Sequence, residues 1–269
     1  MKKIFKTTTI VLLVSLLIHI ISALTLDKVV QYKYVVFESE KITEELSGYK
    51  IAFISDTHFS MQGDKLKPIV EKINDIGVDL VLFGGDFAYK GDGIDKTMEV
   101  LSKIENNDGI YGVEGNHDFY ETLFAAMEKY DMVPLSNSGV RIKEGLYLAG
   151  VQDMLRNHPD IKKSLEDAKE NDFTILLTHS PDVTMLQGTS AVDLVLAGHT
   201  HGGQITIFGL YAPALSINWV TAYGQRFSSG WAKTKDGTAI YISKGLGTFA
   251  NIPRIFARPQ VIIITLVSK

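Results

Sequence analysis

Short apolar runs rich in β-branched residues, each ending in a polar or glycine-rich turn, recur at residues 50–55, 78–83, 110–113, 146–151, 173–178 and 193–197. Runs of this length bounded by turn residues read as buried strands. Between several of them lie stretches with the apolar spacing of amphipathic helices, at 65–76, 94–104, 119–129 and 161–169. Alternating strands and helices are the pattern of α/β layering. A strand-like alternation at 28–37 comes before them, and from Gln204 onward strands and turns take over, clearest at 205–208, 238–243 and 260–267. With 45% hydrophobic and 22% charged residues, the chain has the apolar content to fill a full core. No internal repeat or low-complexity linker interrupts it, so one α/β domain is expected over 27–269.

Residues 1–26 stand apart. Lys2, Lys3 and Lys6 are followed by an uncharged segment at 7–26, the length a helix needs to cross a bilayer core. A buried amphipathic helix does not fit, because 10–21 is apolar all round apart from Ser15 and His19. A cleavable signal fits less well than a retained anchor, since the apolar stretch is long and Ile21 and Ala23 make a poor cleavage site. The expectation is therefore one transmembrane helix, the lysines in the cytoplasm and the domain outside, or a secreted domain if the segment is cleaved. No cysteine is present, which excludes disulfides, thiolate metal sites and a cysteine nucleophile. The net charge of -4 provides no basic field for nucleic acid, and no nucleic-acid partner is expected.

The residues that carry chemistry fall just after the strands. Asp56 and His58 follow the first run, Asp86 the second, Asn116, His117 and Asp118 the third, His179 the fifth, and His199 and His201 the sixth. In open α/β sheets, ligands bind outside the carboxyl ends of strands, so these loops can converge. Of the seven histidines only His19 and His158 lie elsewhere, and neither is assigned a role. One histidine after a strand is ordinarily a surface or capping residue. Five, with three aspartates and an asparagine, form a mixed nitrogen and oxygen set suited to zinc, manganese or iron and large enough for two ions. Gly84, Gly85, Gly115 and Gly198 precede ligands, where the chain must turn sharply.

The segments Asp56-Thr57-His58, Gly84-Gly85-Asp86, Gly115-Asn116-His117-Asp118, Thr178-His179 and Gly198-His199-Thr200-His201 resemble the five signature blocks of the calcineurin-like metallophosphoesterase superfamily, in order. The resemblance implies a four-layer α/β/β/α sandwich, here preceded by one N-terminal transmembrane helix. It implies two divalent metal ions, one held by Asp56, His58 and His201, the other by Asn116, His179 and His199, with Asp86 bridging. His117 would stand beside the scissile phosphate with Asp118 orienting its imidazole. The activity implied is hydrolysis of a phosphodiester or pyrophosphate bond by a metal-bridging hydroxide.

The segments His201-Gly202-Gly203-Gln204, 243–248 and Arg258-Pro259-Gln260 resemble the membrane-associated bacterial branch typified by the YkuE and YaeI phosphoesterases, and Asp153 resembles a branch-typical position without a mechanism. That branch is related to enzymes cleaving the pyrophosphate of UDP-diacylglucosamine, which points to a phospholipid or lipid-linked partner. Leu210, Tyr211, Trp219, Tyr223, Phe227 and Trp231, within 208–231, read first as core packing and second as an apolar rim for acyl chains. Arg226, Arg254 and Arg258 are candidate phosphate or headgroup contacts. The competing class, a binding module stabilised by metals, has no use for His117 with Asp118 beside the ions.

Overall fold

The computed structural model describes residues 2–58, 61–88, 93–217 and 220–269. It begins with helix α1 (Lys2–Leu24), whose Ile10, Leu13, Leu17 and Leu24 are all more than half exposed. The helix has no polar face to turn to water, and by length and composition it is a candidate membrane span.

The rest is built from twelve strands and five further α-helices among the described residues. In chain order the strands are β1 (Gln31–Ser39), β2 (Lys50–Ile54), β3 (Leu80–Phe83), β4 (Ile110–Gly112), β5 (Val133–Pro134), β6 (Ser138–Lys143), β7 (Leu146–Gly150), β8 (Phe173–Thr178), β9 (Leu194–Ala197), β10 (Gly230–Lys233), β11 (Ala239–Ile242) and β12 (Gln260–Ser268). The helices are α2 (Lys67–Ile76), α3 (Ile94–Leu101), α4 (Tyr120–Lys129), α5 (Ile161–Ser164) and α6 (Val183–Leu186). They form two six-stranded sheets, ordered β1-β12-β2-β3-β4-β5 and β10-β11-β9-β8-β7-β6. Strands β2, β3, β4 and β5 run parallel in the first, and β7, β8, β9 and β11 in the second.

Alternation along the strands decides what each face buries. In β2, Ala52 and Ile54 pack beneath α2, α3 and α4 with Ile69, Ile73, Met98, Leu101 and Met127, while Ile51 and Phe53 point the other way. There they meet Ile175 and Leu177 of β8 and Leu194 and Leu196 of β9, which makes the layer between the sheets. Leu176, Val195 and Ile240 face the far side, under Ile161 of α5 and Val183 of α6. Helices, sheet, sheet, helices: the architecture is the α/β/β/α sandwich. Each fully buried Leu, Ile or Phe contributes about 1.5–3 kcal/mol over an exposed one, so the middle layer, closed on both sides, holds the sheets in register.

Two local expectations are corrected, and three strands are added. The segment 205–208 is not a strand: positive φ at Gln204 and Phe208 bends it at both ends, leaving single bridges from Ile205 to Ile255 and from Ile207 to Tyr211. The helix expected over 161–169 stops at Ser164, because the only apolar residues after it are Leu165 and Ala168 and the chain turns so that the Lys169 N–H donates to Asp172. Strands β5, β6 and β10 lie at sheet edges and are partly buried: β5 spans only two residues and β10 four, whereas β6 does alternate, with Val140 and Ile142 toward the core.

Candidate metal centre

Five strands deliver polar side chains to one edge of the sandwich. Asp56 and His58 follow β2, Asp86 follows β3, Asn116 to Asp118 follow β4, His179 follows β8, and His199 and His201 follow β9. The first three strands belong to one sheet and the last two to the other. Contacts to the backbone help stitch the sheets together here: the His199 N–H donates to the Asp56 carboxylate at 3.1 Å, and His179 Nδ1 lies 2.7 Å from the Gly84 carbonyl.

The backbone pays a conformational price at this edge. Among described non-glycine residues, eleven have positive φ, and five of them are Asp56, His58, Asp86, His199 and His201. Left-handed backbone at non-glycine residues is uncommon and costs of order 1–3 kcal/mol each, so its concentration on candidate ligands marks a functional constraint. Nothing in residue type reveals it. At Gly198 the glycine is required by approach: a Cβ there would come 2.5 Å from Asp56 Oδ2.

The side chains form two adjoining groups. Asp56, His58 and His201 make one and Asp86, His179 and His199 the other, each with ligand atoms within 4.8 Å of one another. His58 Nε2 and His201 Nε2 are 2.8 Å apart, and His201 Nε2 is 3.5 Å from Asp56 Oδ1. In the second group His179 Nε2 is 3.2 Å from His199 Nδ1 and 3.1 Å from Asn116 Oδ1, so Asn116 joins it. Asp86 Oδ2 stands between the groups, 3.2 Å from His179 Nε2 and 3.6 Å from His58 Nε2. Its other oxygen accepts the His117 N–H at 2.8 Å.

The charge and burial of these side chains favour cations between them. Burial pushes the Asp56 carboxyl up to about 6, with His179 opposing and Asp86 adding to the rise. Burial and Asp86 push Asp118 up to about 7. Burial opposes the charge on His179, yet the Asp86 carboxylate holds that imidazole well above its ordinary range. Burial drives His58 and His199 down to about 4 and His201 well below its ordinary value, keeping their nitrogens neutral and able to donate lone pairs. Closely packed carboxylates with neutral imidazoles among them suit two dications, and the nitrogen and oxygen set suits manganese, zinc or iron.

Around this cradle the structure assigns side chains their places. His117 is half-buried, its ring 5.5 Å from that of His58 and 5.5 Å from that of Phe249. The Asp118 carboxylate accepts N–H groups from Asp86 (2.7 Å), Phe87 (2.9 Å), Gly115 (3.0 Å) and Ala88 (3.2 Å), tying the loop after β4 to the loop after β3. Arg254 is buried rather than offered to a phosphate or headgroup. It is 3% exposed, and its guanidinium donates to the carbonyls of Lys244, Gly247 and Ala257 and lies 3.3 Å from His201 Nδ1, bracing the first group from behind. Arg226 is spent on the Lys233 carbonyl and Arg258 on that of Val29.

Asp153 gains a structural account. It is fully buried, its carboxylate accepts the Leu155 N–H at 2.9 Å, and its own N–H donates to Glu114. The turn this makes carries Arg156 over the loop after β4, where its Nε donates to the Asn116 carbonyl. Glu114, Arg156 and Asn157 went unread in the sequence because nothing in their spacing marks them.

The stretch 208–231 divides. Phe227 is core, with Tyr223 beside it, and Trp231 is half-exposed on an edge strand. Phe208, Leu210 and Tyr211 are exposed, so core packing fails for them; Trp219 lies outside the described residues.

A sandwich whose strand ends hold two adjoining aspartate and histidine groups around one shared carboxylate has the architecture of a dinuclear metalloprotein. The chain belongs to the calcineurin-like phosphoesterase family, whose model matches residues 49–203 and so takes in all the ligand loops. It is 32% identical over 242 residues to an uncharacterized metallophosphoesterase of Helicobacter pylori, matching 86% of this chain and 62% of that protein; the chain thus spans less than two thirds of this relative. It is 29% identical to the uncharacterized metallophosphoesterase YkuE of Bacillus subtilis, over 86% of this chain and 83% of YkuE. A Danio rerio protein named as a transmembrane protein with metallophosphoesterase domain is 27% identical over 97% of this chain and 63% of its own length.

Proposed function

We propose that the protein is a dinuclear metal-dependent phosphoesterase that hydrolyses phosphodiester or pyrophosphate bonds, anchored by residues 1–26 with its catalytic domain, 27–269, outside the cytoplasm. The observation that carries the reading is Asp86 Oδ2 lying between His179 and His58, within reach of both groups. In this reading Asp56, His58 and His201 hold one ion, Asn116, His179 and His199 the other, and Asp86 serves both. Two divalent ions so held, as manganese, zinc or iron, supply an activated water near neutral pH and positive charge for the phosphoryl oxygens.

The chain's own residues supply the rest. Only a neutral imidazole binds a metal ion, and the Asp86 carboxylate favours the charged form of His179, so metal affinity is expected to rise with pH. The Gly84 carbonyl accepts from His179 Nδ1–H and thereby directs Nε2 inward. His117, anchored through its N–H to Asp86, stands beside the first group, where its imidazole can stabilise charge on a phosphoryl oxygen or give a proton to the leaving oxygen. Asp118, whose backbone bonds fix the turn that carries His117, is assigned the orientation of that ring.

A finer reading concerns the substrate. The tether confines the domain to the bilayer surface, where a lipid or lipid-linked phosphate ester is met at high effective concentration and a soluble ester is not. The name of the Danio rerio relative, and a matched length that takes in the apolar helix, support the membrane location.

Turnover of bis-p-nitrophenyl phosphate tests the activity. Protein loaded with manganese or zinc should hydrolyse it, chelation should abolish hydrolysis, and reloading should restore it. Metal-loaded protein that binds its ions and turns over no diester would be a metal-stabilised binding module instead.

A further inference from the structure

Beside the end of α1 the surface is apolar where strand alternation would bury it. In the segment after the last ligand loop, Thr206 is buried while Ile205 and Ile207 are exposed, an inversion of the usual inward apolar face. Phe208 and Tyr211 are exposed as well, and Leu210, at 87%, is the most exposed large apolar side chain among the described residues.

This face is joined to the anchor. The Phe208 ring packs edge-on against His19 at 4.6 Å, and both rings meet Phe256, at 5.6 and 4.9 Å. Asp27 locks the joint: its Oδ2 accepts from Ser22 Oγ at 2.6 Å and from the Phe256 N–H at 2.8 Å, with Ser22 and Asp27 both buried. These contacts tie the end of α1 to the domain. His19 lies five residues inside the end of α1 at Leu24, which at 1.5 Å per residue is about 7.5 Å along the axis. What touches His19 is thus at the depth of the interfacial layer, about 5–10 Å, beside a helix whose apolar surface continues to its end.

The same face reaches the metal centre. Gln204 Nε2 donates to the carbonyls of Phe249 and Ile252 at 3.1 Å, and the Phe249 N–H donates back to Gln204 Oε1 at 2.7 Å. Phe249 and Ile252 are exposed, and the Phe249 ring is the one beside His117.

We propose that the face formed by Ile205, Ile207, Phe208, Leu210 and Tyr211, continued by Phe249 and Ile252, seats in the headgroup layer of the bilayer that α1 crosses, opening the metal centre toward the phosphate groups of membrane lipids. The inference rests on the reading of α1 as a membrane span. It turns tethering into orientation: the centre faces the bilayer, and a lipid phosphate ester reaches His117 by lateral diffusion past Phe249. Exposed apolar surface of this extent, contiguous with an anchor, is costly in water and favourable at a lipid interface.

The absence of cysteine makes the test clean, because one introduced thiol carries the only label. Full-length Leu13→Cys, Leu210→Cys and Glu144→Cys variants are each labelled with an environment-sensitive fluorophore and reconstituted into phosphatidylcholine and phosphatidylglycerol vesicles containing a mixture of lipids brominated near the headgroup and lipids brominated at mid-chain. Glu144 lies just before β7, at the opposite end of the parallel strands from the metal loops, and its side chain is 83% exposed. Labels at 13 and 210 should lose most of their emission to the brominated lipid, and the label at 144 should keep its own. Quenching at 13 with none at 210 overturns the seating and leaves the span. No quenching at 13 overturns the span reading itself, whatever the activity of the protein.

Discussion

Asp86→Ala is expected to abolish turnover and to empty both metal positions, where replacement of any other candidate ligand disturbs one position first. Among the described residues its Oδ2 is the carboxylate oxygen that lies between the two groups, 3.2 Å from His179 and 3.6 Å from His58. Removing it also deletes the partner that holds His179 charged and the acceptor of the His117 N–H. The substitution also removes the buried carboxylate that faces His179 and His58, so some loss of fold stability accompanies it. Thermal unfolding measured on metal-free protein separates that loss from the loss of metal. Elemental analysis finding two metals per chain in the variant would refute the shared carboxylate.

His117→Gln should keep both metals and lower kcat by about 10²- to 10⁴-fold, the range of a positioned acid or base. The side chain is half-buried beside His58, and its backbone N–H bond to Asp86 survives the substitution. Glutamine can still donate a hydrogen bond to a phosphoryl oxygen but gives up no proton, so the loss should be smaller for a diester with a good leaving group than for one with a poor leaving group. Loss of a metal would make His117 a ligand, and an unchanged kcat for poor leaving groups would remove it from the chemistry.

These expectations rest on a site whose convergence was legible before the fold was. Ligand types cluster after apolar runs, and strand ends in an α/β sheet lie on a common edge. Asp56, Asp86, His179 and His199 could be read this way because aspartate and histidine are costly to bury without a task. What the sequence concealed depends on contacts distant along the chain. Arg254 resembles a surface cation until its guanidinium is found enclosed by the carbonyls of Lys244, Gly247 and Ala257. The left-handed backbone at the candidate ligands is imposed by the loops that cross there, since aspartate and histidine do not demand it. Ile205 to Phe208 misled for a related reason: its alternation is regular, but its apolar side chains face outward. Periodicity reports that a face is apolar without saying whether protein or lipid covers it.

In the proposed function one carboxylate, Asp86, holds two ions side by side at this edge. Anomalous diffraction from crystals of manganese-loaded protein measures it directly. Two peaks about 3.5–4 Å apart, flanking Asp86 Oδ2, one within reach of Asp56, His58 and His201 and the other of Asn116, His179 and His199, are the predicted result. A single peak, or two peaks of which only one lies within coordinating distance of Asp86, would rule out the shared carboxylate.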